Sequence, residues 1–167
     1  MRIKVKLSSS SIKEAKKKVE DYRKDLERKT RLLVQALVDE GFLKARELVP
    51  VDTGVAQSSI IGYVNGDTGK GIIRAGEYCS FIEFGTGVVG ASNPHPSAEY
   101  LAAMQWAYAS GKMIFTTKDG KTGWFYPTKD GEWRFTQGMP SRPFMYNTVQ
   151  YLLQEYKKIA KEVFENG

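Results

Sequence analysis

The chain has 167 residues, a formal net charge of +6, one Cys and one His. That length suits one domain with a real core, and 26 % charged with 41 % hydrophobic residues is ordinary globular usage that argues against wholesale disorder. A lone Cys79 excludes an internal disulfide framework, a lone His95 leaves too few ligands for a Cys/His zinc site, and no apolar run approaches the roughly 20 residues of a membrane span.

Met1–Leu7 alternates Ile3, Val5 and Leu7 with Arg2, Lys4 and Lys6. This predicts an edge strand rather than a signal-peptide core, and so a soluble protein kept in a reducing cytosol. After the polar break Ser8–Ser11, Ser11 with Glu14 matches a capping box. A long helix should follow, with Ile12, Ala15, Val19, Tyr22, Leu26 and Leu33 on one stripe and an end near Leu48, ahead of Pro50. Gly41 inside it marks a kink or a close backbone approach. Ser58–Val64 and Lys70–Ala75 read as strands around the turn residues 65–69, and Tyr78–Phe84 reads as a third strand by its alternation. Ser97 should cap a short helix running to Ala109. Lys112–Thr117, Thr122–Tyr126 and Glu132–Thr136 read as short strands separated by Lys-Asp-Gly turns. A last helix follows Pro143, with Met145, Val149, Leu152, Tyr156, Ile159 and Val163 on its apolar face. The expected class is α+β: an N-terminal strand and long helix packed on an antiparallel sheet, an aromatic-rich insertion at about 88–138, and a C-terminal helix, all in one domain over 1–167.

The charge is unevenly placed. Residues 1–31 hold 12 Lys+Arg against 5 Asp+Glu, whereas the rest hold 13 against 14. Lys16, Lys17, Lys18, Arg23, Lys24 and Arg28 form a basic helical arm that suits phosphates or an acidic partner, but interleaved acids at i,i+4, such as Glu20–Lys24 and Asp25–Lys29, suit a solvated face or a subunit contact. Trp124 and Trp133 are further candidates for a contact surface, since aromatics are enriched at interfaces. Cys79 and His95 are the only thiol–imidazole pair. Cys79 reads as a small buried thiol in an apolar strand, and His95, between Pro94 and Pro96, as an exposed loop residue. Glu83, between Ile82 and Phe84, needs a partner: an amide cluster or an Arg of this or a neighbouring chain. Asp52 caps a turn. No phosphate-binding glycine loop is present, because Gly85-Thr86-Gly87 lacks the Lys and helix of a P-loop.

Three stretches in order carry a resemblance. They are Leu48-Val49-Pro50-Val51-Asp52-Thr53-Gly54, then Tyr78-Cys79-Ser80-Phe81-Ile82-Glu83-Phe84-Gly85-Thr86, then Pro140-Ser141-Arg142-Pro143-Phe144. Together they resemble the neck and tail-component family of tailed bacteriophages (gene-product-ten-like, of lambdoid coliphage type), whose pattern runs VP-x-DTG, Y-x-x-(F/Y)-(V/I)-E-F-GT and P-A-x-PF. The chain departs from it at Val55 and Gln57, where the family has Leu and Arg, and at Ser141, where it has Ala. The resemblance implies a structural virion protein of the neck or upper tail, assembled in the host cytoplasm. It implies no enzymatic role and no cofactor or metal. The implied partners are copies in a homo-oligomeric ring, other neck, connector or tail proteins, and genomic DNA in non-specific proximity, with no membrane. On this reading Pro50, Asp52, Thr53 and Gly54 form a polar brace with Tyr78, Glu83, Phe84, Gly85 and Thr86, and Pro143 and Phe144 open the last helix. The competing expectations are a non-specific DNA-binding accessory protein and a small hydrolase using Glu83.

Overall fold

A computed structural model describes residues 8–108 and 114–166. The expected strand Met1–Leu7 lies outside the described residues. The first element, α1 (Ser9–Leu48), is a single helix of 40 residues. Its cap is Ser8, not Ser11: the Ser8 Oγ accepts from the Ser11 amide at 3.3 Å, and Glu14 turns outward to Lys18 at 2.6 Å. Four serines in a row offer several caps, and the helix takes the earliest one visible. It ends at Leu48 because Val49, ahead of Pro50, is extended (φ −67°, ψ 131°).

Beyond a left-handed Gly54 (φ 79°), a single turn α2 (Val55–Ser58) takes the place of the start of the expected strand. The hairpin follows: β1 (Ile61–Val64) pairs antiparallel with β2 (Gly71–Arg74), with Ile61 opposite Arg74 and Val64 opposite Gly71. Asn65 Oδ1 organises its turn by accepting from the amides of Asp67 and Thr68.

The segment read as a third strand is a helix, α3 (Cys79–Phe84). Its alternation of large residues is coincidental. Cys79, Ile82 and Glu83 are buried and stand three and four apart, the spacing of a helical face. Short helices α4 (Gly87–Ser92) and α5 (Ala98–Ala103) follow, the latter capped by Ser97, whose Oγ accepts from the Tyr100 amide. A separate meander, β3 (Phe115–Thr116), β4 (Thr122–Pro127) and β5 (Trp133–Thr136), pairs in sequential order. A short strand β6 (Gly138–Met139) bridges back to Thr86 and Gly87 before α6 (Phe144–Asn166).

Helices α1 and α6 run antiparallel. Lys29 Nζ donates to the Phe164 carbonyl near one end, and the Tyr151 hydroxyl donates to Glu40 near the other. That bond to the Glu40 carboxylate is the main reason the Tyr151 phenol is pushed up to about 12. The hairpin lies on the second half of α1, and Ala45, Val49, Ala56, Ile60, Cys79, Ile82 and Phe144 form the core. Gly41 marks a close approach: a Cβ there would stand 2.4 Å from Ile73 Cδ1 and 2.8 Å from Leu152 Cδ1. Gly41→Val should therefore lower stability by about 2 kcal/mol through overpacking, read as a reduced urea midpoint. An unchanged midpoint would show that Ile73 and Leu152 yield freely.

Candidate functional site

The three motif stretches converge on the core, with Val49 from the first, Ile82 from the second and Phe144 from the third. Around these apolar contacts the second and third stretches are knitted by backbone and carboxylate bonds. The Arg142 amide donates to the Ile82 carbonyl at 2.8 Å, and the Ser141 hydroxyl donates to the Glu83 carbonyl. Gly85 (φ 77°) lies so close to the 139–141 backbone that a Cβ would come within 2.6 Å of the Ser141 nitrogen.

Glu83 is the centre of this knot. It is 6 % exposed. Its Oε2 accepts from the Met145 amide at 2.8 Å, and its Oε1 from the Tyr146 amide at 2.9 Å and from His95 Nε2 at 3.2 Å. Met145 and Tyr146 are the second and third residues of α6, whose amides have no partner within the helix. Pro143 can offer no side-chain cap there. A carboxylate from α3 supplies the cap across the core, and the positive end of the helix dipole favours its charge. The expected amide cluster is therefore the partner that Glu83 finds.

His95 is not an exposed loop residue. It is 3 % exposed and boxed by the rings of Phe84, Tyr100 and Tyr146, with centroids 5.1, 6.0 and 5.2 Å away. The Ser97 amide donates to its Nδ1 at 3.1 Å, and its Nε2 faces the Glu83 carboxylate, an acceptor to which it donates. The two flanking prolines suggest an exposed turn in sequence. What decides the burial is a carboxylate that still has an acceptor lone pair to fill.

Asp52, Thr53 and Gly54 border a cleft of about 210 Å³ together with Tyr78, Ile82 and Arg142. The turn thus sits beside α3 through Tyr78 and Ile82, whereas the Glu83 carboxylate points to α6 and His95. Among the described residues no hydrogen bond joins Asp52 or Thr53 to the stretch Glu83–Thr86. On the α6 side Glu83, Phe84, Tyr100, Met104, Met145 and Tyr146 help line a largely apolar cavity of about 450 Å³.

Cys79 is buried as expected. Its Sγ lies 3.4 Å from the Ser59 hydroxyl, while His95 is engaged by Glu83, so these groups do not form a thiol–imidazole couple. Among the described residues no group of three or more His, Cys, Asp or Glu could hold a metal ion. No described helix is long and apolar enough to cross a membrane.

The candidate contact residues divide. Trp133 is 68 % exposed, but Trp124 is 8 % exposed, because its ring covers Gly87, where a Cβ would stand 2.6 Å from the indole. Trp124 belongs to the packing under the meander. Trp106 packs on Phe81 and Phe84 and donates Nε1–H to the Gly85 carbonyl at 3.1 Å. On the basic arm, Lys18 pairs with Glu14, Arg23 with Glu20 and Glu27, and Arg28 with Asp25. The hydrogen bond from Lys18 holds the Glu14 carboxyl below the usual carboxylate range. These pairs are solvent-exposed, so they organise the surface more than they stabilise it.

The chain matches no protein-family model, no curated protein and no solved structure.

Proposed function

We propose that the chain is a non-enzymatic structural protein of the neck or upper tail of a tailed bacteriophage or phage-derived particle, serving head–tail joining or tail completion. The observation that supports this reading most is the convergence of the three resemblance-bearing stretches in one core, with Glu83 capping α6. The oxygens of Glu83 are occupied by three structural donors, which suits bracing more than proton transfer. In this role copies of the chain form a ring by head-to-tail contacts, each offering two different surfaces to neighbours and to connector or tail proteins. The protein then resides in the virion and needs no cofactor. Electron microscopy of particles with the subunit labelled tests the proposal directly. Label at the neck or upper tail is expected; particles of normal form that never carry it would overturn the reading.

A second reading, a non-specific DNA-binding accessory protein, draws on Lys16, Lys17 and Lys24, which make no ion pair among the described residues. Duplex DNA binding that falls steeply with salt would favour it. On the leading reading, replacing Lys16, Lys17 and Lys18 by Gln should weaken particle joining roughly tenfold while the circular dichroism of the protein stays unchanged. Unaltered joining in a reconstitution assay would remove the arm from the contact.

A further inference from the structure

The first half of α1 carries an apolar stripe that no described part of the chain covers. Helix α6 reaches only as far as Lys29, where it meets Phe164. From Ser9 to Arg28 the helix runs on past that meeting point for roughly 29 Å at 1.5 Å per residue. Along it Ile12, Val19, Tyr22 and Leu26 are 42, 55, 52 and 43 % exposed. With Ala15 they recur at steps of three and four, the spacing of a coiled-coil seam. The stripe prolongs the same face that packs on α6 farther along, so a second helix laid upon it would continue the helix pair that the fold already contains.

The residues beside the seam say what that helix must carry. The flanking positions are Lys16, Lys18, Arg23 and Asp25: three cations and one acid. A parallel second copy would set Lys18 against Arg23, and an antiparallel one would set Lys16 against Arg23 while Lys18 meets Asp25, so self-pairing gains no net charge attraction, whereas an acidic helix would. A lipid surface would take a broader apolar face, and the acids Glu14, Glu20, Asp21, Asp25 and Glu27 would repel anionic headgroups. DNA offers nothing to the apolar residues.

We infer that the arm Ser9–Arg28 is a docking helix for an acidic amphipathic helix of another protein, which lies along Ile12, Ala15, Val19, Tyr22 and Leu26 as a two-stranded coiled coil with its acids on Lys16, Lys18 and Arg23. The exposed intrahelical pairs of Lys18 and Arg23 are weak enough to be exchanged for such contacts. This inference is independent of the virion reading.

The test uses the full chain and two synthetic four-heptad peptides with Ile and Leu in the seam. One carries Glu at every flanking position, the other Lys. Titration calorimetry should show the Glu peptide binding on the order of tenfold tighter than the Lys peptide. The Val19→Ser/Leu26→Ser variant should lose that binding with its thermal midpoint unchanged, because both positions are exposed. A Lys16→Glu/Arg23→Glu variant should reverse the preference. Equal affinity for the two peptides would overturn the inference, as would binding that survives Val19→Ser/Leu26→Ser. So would self-association abolished by that variant, which would assign the seam to a second copy, or tighter binding to phosphatidylserine vesicles or duplex DNA than to the Glu peptide.

Discussion

Glu83→Ala should destabilise the protein by about 3 to 5 kcal/mol, measured as the loss in urea unfolding free energy. The reason is the number of donors one carboxylate serves. Removing it leaves the Met145 and Tyr146 amides at the start of α6 and the His95 Nε2–H without their acceptor inside the core. Glu83→Gln keeps the shape and one acceptor oxygen but turns an NH₂ toward a donor, so about half of the loss should remain. His95→Ala should cost about 3 kcal/mol: Glu83 keeps both amides, but the truncation loses one bond and leaves a cavity among the rings of Phe84, Tyr100 and Tyr146. The double variant should cost less than the sum, because both residues share one bond. If Glu83→Ala proves as stable as the parent, the carboxylate is not what secures α6. Additivity in the double variant would separate His95 from it.

Gly138→Ala should cost about 3 kcal/mol or more. Its φ of +96° already disfavours a side chain, and a Cβ would run into the Thr86 carbonyl oxygen and stand 2.9 Å from Gly87 Cα. Backbone meets backbone there, so no rotamer change can relieve the contact. Gly120 and Gly131 provide the internal control. Their φ values, +79° and +82°, are similarly left-handed, but open space surrounds them. Alanine at either should cost only the conformational strain, about 1 kcal/mol. A Gly138→Ala protein no less stable than these two would mean that the bridge between β6 and Thr86–Gly87 is not a fixed part of the fold.

The long elements were legible because their signals are local and repeated. The 3–4 rhythm of α1 and α6, the Pro50 stop and the 65–69 turn all lie in sequence where the structure uses them. The turns around Gly120 and Gly131 were equally plain. Tyr78–Phe84 reads as a strand, yet folds as a helix, because seven residues can satisfy a period of two and a helical face at once. Only the core that receives Cys79, Ile82 and Glu83 decides between them. Glu83 could be recognised as a carboxylate in need of a partner. The partners themselves, amides 62 and 63 residues away and the imidazole of His95, are products of tertiary folding that no short window contains. Trp124 and Trp133 look alike in sequence. One covers a glycine and the other faces solvent, a difference set by which strand face turns inward.

The pairing of Thr86 and Gly87 with Met139 and Gly138 has a topological consequence. The chain departs from one point and returns to the same point, so everything between them is an excursion whose ends are already clamped together. Closing such a loop costs little more as it lengthens, about 0.6 kcal/mol per doubling. Selection can therefore stretch, trim or rewrite the outer meander and its exposed Trp133 at small thermodynamic expense, provided that His95 and Trp106 still reach back to Glu83 and Gly85 and Trp124 still covers Gly87. The rest of the protein stays in register while the excursion varies, which makes this the part of the molecule best placed to adapt to a changing neighbour.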